Sequence, residues 1–393
     1  MRVYILNKSY ERIAYIDHAD SVLWDKKYND IGECEIYLPC SIEMLNTLQK
    51  GFYVLREDDD MFCKIESVQI ETDVEKGDYI IATAKDMNNV LANRIVRNGF
   101  TYSGSVAKFI KKLVMDNIIT PEQTKRAFTN FTFNDSNFSD FTETIDINVT
   151  SGQDILELVK TTCKTFNYGF RVKYIELTQT LEFGLKKGKN KATTTGVEYV
   201  EFSPTYSNIL SSNYKEDESN YKNVCYVSYK DTKEDIQLLL VFNTENEPAA
   251  EDRREVFIDA TNLSREIKLE ELKLMFPTAT TNGSSYYYYN EKNVHVELAK
   301  IDGEKLIVSD YTYSILLRTL GLNTLAERVK TQEFSGSVDI IDTYQYKIDY
   351  DLGDIVKVIN EYGIGAEARI TEVMESDDND DGYQIEPKFE YIN

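Results

Sequence analysis

The sequence predicts a mainly β protein of the α+β class, with two small antiparallel β-barrels and two αβ domains, the second barrel discontinuous in sequence. Three observations predict it. Short runs of period-two alternation crowd both ends of the chain and are separated by turns rich in Gly and Asp. Two intervening stretches switch to helical spacing of apolar residues. A length of 393 residues also exceeds what one core ordinarily holds, so several domains are expected.

The opening barrel covers 1–97. Within 32–39, Cys34, Ile36 and Leu38 alternate with Glu33, Glu35 and Tyr37, which gives a strand one apolar face. Further strands are expected at 22–24, 51–56, 63–70 and 79–84, with turns at Asp58-Asp59-Asp60 and Lys76-Gly77-Asp78 and a short helix over 87–93. An α+β domain follows at 98–195. Val106, Phe109, Ile110, Leu113 and Val114 share one helix face, with Ser103 or Ser105 as N-cap. Ser151-Gly152-Gln153-Asp154 opens a second helix whose face carries Ile155, Leu158, Val159 and Thr162, and Asn167-Tyr168-Gly169 stops it. Between the helices, 128–149 reads as a loop with strand fragments, and a strand pair follows at 170–177 and 181–185.

The second barrel joins 196–249, with strands at 197–202 and 223–227, to 332–393. Its C-terminal part is the clearest pattern in the chain. Tyr346, Ile348 and Tyr350 alternate with Lys347, Asp349 and Asp351, as in a strand with one buried face. Leu352-Gly353-Asp354 breaks the run; Gly353 can take the positive φ of a tight turn, and Asp354 can bond back to the turn backbone. Strands are then expected over 355–359, 366–373 and around Tyr383, Ile385 and Phe389, with turns at 360–363 and 377–382. An inserted α+β domain occupies 250–331, with helices near 269–275, 311–319 and 324–330 and Gly321 interrupting the last pair.

Composition narrows function. Against 67 Asp and Glu stand 44 Lys and Arg, a net charge of −23, whereas a sequence-reading nucleic-acid binder needs a basic face. The one basic run, 186–191, reads as a solvated loop. No apolar run reaches the roughly 18 residues of a membrane helix, and the N-terminus lacks a signal-peptide core, so a soluble, cytosolically made protein is expected. Five Cys without CxxC spacing predict buried free thiols. The two His, His18 and His295, fall in different predicted domains, and no GxSxG, HExxH or phosphate-binding glycine loop is present. No catalytic residue, cofactor or metal is expected. Asp377, Asn379 and Asp381 match the first half of a calcium loop, but Lys388 stands where that loop needs a bidentate Glu. A charged hairpin tip is the simpler reading. The Tyr286-Tyr287-Tyr288-Tyr289 run suggests a Tyr-rich strand or an interface.

The ordered features resemble the tail hubs of long-tailed bacteriophages, specifically the siphophage Gp37-like tail proteins. These are similar to baseplate hubs and to the N-terminal part of tail-associated lysins. The likeness is carried by Trp24, Tyr28 and Gly32 near the start, then Ala84-Lys85-Asp86, Phe202-Ser203 with Asn208, Lys222-Asn223-Val224 and Arg254-Glu255. It ends in Asp349-Tyr350-Asp351-Leu352-Gly353-Asp354 and Ile370-Thr371-Glu372-Val373. Cys34 stands where an aromatic is more usual. The resemblance implies a homotrimer in which two barrels per chain make a pseudo-six-fold ring at the tail tip of the virion. A distal tail ring or tail tube protein would lie above it. Tip, fibre or receptor-binding proteins would lie below, with a tape measure protein as a further neighbour. DNA would pass through the ring during ejection. An acidic lumen would repel the phosphates and let DNA slide, with Asp58, Asp59 and Asp60 as candidate lining. No peptidase or lysin extension follows the last barrel, so no enzymatic role is expected. A cell-wall-degrading tail enzyme and a carbohydrate-binding receptor module are the alternative readings.

Overall fold

The computed structural model describes residues 1–73, 77–193, 199–209, 211, 213–335, 338, 344–379 and 382–392. The chain forms two compact units, Met1–Tyr214 with Glu333–Asn393, and Lys215–Gln332. It is mainly β with a few helices. Among the described residues no helix is long and apolar enough to cross a membrane.

In the first unit the period-two runs become strands of a single sheet, thirteen-stranded among the described residues. Ser21–Lys27 is its central member. It pairs on one side with Glu33–Pro39 and on the other with Gly365–Asp378, both antiparallel. Beyond Glu33–Pro39 come Gly77–Asp86, Phe62–Asp73, Tyr53–Arg56, Val3–Leu6 and Arg12–Ile16; beyond Gly365–Asp378 come Gly382–Tyr391, Thr331–Ser335 and Asn213–Asp217. The two expected barrels are therefore one continuous sheet joined at Ser21–Lys27, and no closed barrel forms among the described residues. Each half nevertheless keeps its own core. The N-terminal half packs Ile5, Trp24, Ile36, Ile65 and Ile80 together, and the C-terminal half packs Phe202, Tyr350, Val356, Ile370 and Phe389.

A third core in the same unit is built on the two predicted helices, Val106–Val114 and Ile155–Phe166. Asp154 caps the second helix by accepting from the Glu157 N–H, and Asn167 ends it in the left-handed region at φ 59°. The stretch 128–149 holds the strands Phe131–Asn134 and Thr144–Val149, as expected of strand fragments in a loop.

Three expectations are corrected. The run Tyr346–Tyr350 is a turn, not a strand. Lys347 takes φ 69° and its N–H donates to the Tyr350 carbonyl at 2.7 Å, while Ile348 is left exposed. Alternation there reflects a half-buried and a buried tyrosine, Tyr346 and Tyr350, closing a turn. Val224–Lys230, expected in the second barrel, instead pairs with Ile236–Phe242 and Glu255–Asp259 in the unit Lys215–Gln332. Finally, Gly321 does not divide two helices. Asp310–Ala326 is one helix, and a Cβ at Gly321 would stand 2.9 Å from the Val241 side chain, so glycine there permits close packing on the sheet. Leu269–Met275 is helical as expected, and a five-stranded sheet including Ser285–Tyr289 and His295–Asp302 completes this unit.

Candidate functional site

Part of the likeness, Phe202, Tyr350, Leu352 and Gly353, shares a core with Tyr28, just past the central strand. Its backbone N–H donates to Thr371 at 2.8 Å and its carbonyl accepts from Phe170 at 3.0 Å. Its hydroxyl accepts from the Gly188 N–H at 3.0 Å and lies 3.1 and 3.2 Å from the carbonyl oxygens of Asn167 and Lys186, to either of which it can donate. One buried side chain thus ties the central strand, the helical region and the C-terminal strands together. The ring leaves no room for larger neighbours. A Cβ at Gly353 would lie 2.1 Å from it and one at Gly169 2.4 Å, and Gly353 also needs its φ of +96°.

The predicted turn closes against this ring. Asp354, 4% exposed, accepts from the Lys189 N–H at 2.8 Å and the Asp351 N–H at 3.0 Å and pairs with Lys191 at 3.5 Å. The Gly353 N–H donates to Ile370 at 2.7 Å. Asp349 accepts from the Gln345 N–H at 2.7 Å, and Tyr350 meets Phe202 edge to face at 5.2 Å, beside the buried Leu352. The basic run 186–191 is partly exposed, as expected of a loop, but it is tied down: Lys186 pairs with Asp351 at 2.6 Å and Lys187 with Glu143 at 2.9 Å, and Lys191 is buried. Trp24 is fully buried with the Arg56 guanidinium 5.7 Å from its ring centre. A Cβ at Gly32 would fall 2.5 Å from the Asp25 carbonyl oxygen.

Beside Tyr28 a cleft of about 550 Å³ opens, walled by Asp58–Asp60, Arg171, Lys173, Lys347 and Leu352 among others. Its charges are matched internally. Asp59, with no exposed side-chain surface, pairs with Lys26 at 3.0 Å and Lys347 at 2.6 Å. Asp60 pairs with Lys26 at 2.8 Å and Lys173 at 2.9 Å, and Asp58 with Arg56 at 2.5 Å. Burial alone would raise the Asp59 and Asp60 carboxyls; the lysines beside each outweigh it and hold both far below the usual carboxylate range. Asp58 is held low by its bond from Arg56. The three acids expected to line a channel thus direct their charge largely into the chain's own ion pairs.

Two further carboxyls move the other way. Burial, with Glu372 nearby, pushes Asp25 up to about 6 against the pull of Lys27. Burial pushes Asp86 up to about 7 even though Arg171 stands 3.0 Å away. Arg56 also reaches Glu375 at 2.7 Å across the seam between the sheet halves, and Tyr383 donates to the same carboxylate. Sequence spacing carries no trace of these long-range pairs; the adjacent Asp58-Asp59-Asp60 shows only as a turn.

Among the described residues no three His, Cys, Asp or Glu side chains converge to hold a metal. Asp377 pairs with the N-terminal amine, and Asn379 donates to Asp20 at 3.0 Å, while Asp381 lies outside the described residues. His18 pairs with Asp17 at 2.8 Å, and His295 packs on Tyr287 with ring centres 4.3 Å apart. All five Cys are free, four of them buried. The Asn223 side chain accepts from the Arg254 N–H at 2.8 Å, which links these two stretches of the likeness in space.

This fold, two cored sheet halves pinned at Tyr28, is that of phage tail proteins. The structure of the tail protein from Neisseria meningitidis MC58 superposes with a TM-score of 0.52 at 13% identity, covering 99% of this chain and 95% of that one. The prophage MuSo2 43 kDa tail protein from Shewanella oneidensis gives 0.53 at 10% identity, covering 100% and 98%. The chain belongs to the family described as Siphovirus ReqiPepy6 Gp37-like protein, whose model matches residues 2–389. It is a phage tail protein and a component of the virion. No curated protein matches the sequence.

Proposed function

We propose that the chain is the tail-tip hub, three copies of which close into a pseudo-six-fold ring. The observation that carries this reading is the doubled sheet of the first unit: two strand-built halves, each with its own core, rigidly joined through Ser21–Lys27 and Tyr28. With each sheet half counted as one module, three chains supply six modules, which match a six-fold tube above while the trimer presents three-fold symmetry below. Closure of a heterologous contact into a ring is the geometry such a junction needs.

In this reading the ring joins the tail tube or distal tail ring to tip, fibre or receptor-binding proteins and surrounds the DNA exit. It needs no covalent chemistry. The net charge of −23 favours a lumen that repels DNA over about a Debye length, roughly 8 Å. Asp58 and Asp60, whose side chains are 69% and 41% exposed, remain candidates for its lining, while Asp59 is enclosed by its ion pairs. Light scattering on the purified chain tests the assembly. A species of three times 45.4 kDa, seen as a ring in negative stain, supports it, and a dimer would overturn it. A carbohydrate-binding role is the second reading, favoured by Tyr287 and Tyr289 beside His295 on one strand pair. Binding of the isolated chain to intact host cells, lost in Tyr289→Ala, would support it.

A further inference from the structure

The unit Lys215–Gln332 leaves an apolar sheet face open. Its three-stranded sheet places Val224–Lys230 between Ile236–Phe242 and Glu255–Asp259. One face, with Cys225, Val227, Val241 and Ile258, packs into the core that includes Leu317 of the helix Asp310–Ala326. Alternation sends Tyr226, Ile236, Leu238, Leu240 and Phe257 to the other face. Ile236 is 67% exposed, and Leu238 and Phe257 59% each. At one end the Arg253 guanidinium covers part of this face, donating to the Tyr226 hydroxyl at 2.8 Å. Leu238 and Phe257 lie diagonally across the middle strand, and both remain open to solvent. Isolated exposed apolar residues are ordinary, but several on one sheet face mark an association surface.

Its surroundings are acidic. Residues 230–259 carry nine Asp and Glu against four Lys and Arg, and Glu255 and Asp259 share the outer face with Phe257. Two copies meeting through this face would bring like charges together, which costs affinity and slows encounter. We propose that this face docks a protein partner whose contact patch is apolar at its centre and ringed by Lys and Arg. The apolar centre supplies the buried area and the charge ring supplies orientation and on-rate. The proposal does not depend on the trimeric ring.

The test uses the full chain and two synthetic amphipathic peptides of equal Leu content, one otherwise Lys and one otherwise Glu, followed by fluorescence anisotropy. The Leu/Lys peptide binds, more weakly as salt rises, and the Leu/Glu peptide does not. The double variant Leu238→Lys/Phe257→Lys lowers the affinity at least about tenfold. The control Ile42→Lys/Leu177→Lys, at residues 80% and 95% exposed, adds the same charge elsewhere and leaves affinity within about twofold. Circular dichroism confirms that both variants fold. Equal loss in the two variants, equal binding of the two peptides, or no binding by the parent chain overturns the proposal. So does self-association of the parent chain that Leu238→Lys/Phe257→Lys abolishes, since it would assign the face to a second copy.

Discussion

The Tyr28 junction and the sheet around Val224–Lys230 are built from similar strands but treat their side chains in opposite ways. At the junction, charges and rings are satisfied within the chain: Lys26, Lys347 and Lys173 face Asp59 and Asp60, and two glycines make space for one tyrosine. In the second unit, apolar side chains at alternating positions face solvent. The first arrangement fixes a shape and the second offers a surface.

The comparison can be broken most severely at Gly353. Gly353→Val imposes a side chain where φ is +96° and the Tyr28 ring lies 2.1 Å from the new Cβ. A loss of about 4 kcal/mol, or failure to fold, is expected by urea denaturation; an unchanged midpoint would show that the pin is not tight. Asp59→Leu comes next. It leaves Lys347 without this carboxylate and Lys26, whose side chain is 7% exposed, with Asp60 alone, at a cost of about 3 kcal/mol. Adding Lys26→Met should recover part of that loss.

A smaller effect separates the two kinds of buried carboxyl by pH. Asp25 is raised from 3.8 to about 6, so the folded state holds this proton more tightly than the unfolded chain. Its contribution is fully present below 3.8 and is lost as pH rises through about 6. Asp59 and Asp60 are lowered, so theirs is present above 3.8 and lost as pH falls below it. In Asp25→Asn the fall in Tm between pH 4 and 6 should shrink relative to the parent, while the acid-side loss stays. An identical profile for the two proteins would remove Asp25 from the account. The smallest effect belongs to the second unit: Leu238→Lys should change stability by less than about 0.5 kcal/mol, because the residue is already 59% exposed. A large loss there would mean the face is structural.

Much of the fold was legible because it rests on local rules. The turn at Leu352-Gly353-Asp354, the left-handed stop at Asn167 and the strand Glu33–Pro39 follow from residue type and period. Tyr346–Tyr350 misled because alternation cannot distinguish a strand from a turn whose two end residues both pack against the core. Gly321 misled because a glycine that admits a neighbouring strand looks the same in sequence as one that ends a helix. Partnership was the least legible property. Nothing near Val224–Lys230 says which strands it will join, and nothing near Asp59 announces Lys26 and Lys347, 33 positions before it and 288 after it. Only the order of the motifs, read as a resemblance, connected Tyr28 with Gly353.

The central claim, a ring of three chains around the DNA path, is tested most directly by cryo-electron microscopy of assembled tails. The account predicts three copies closed around the axis, their six sheet halves facing the tube, with a lumen of negative potential. A single copy off the axis, or a lumen of positive potential, would contradict it.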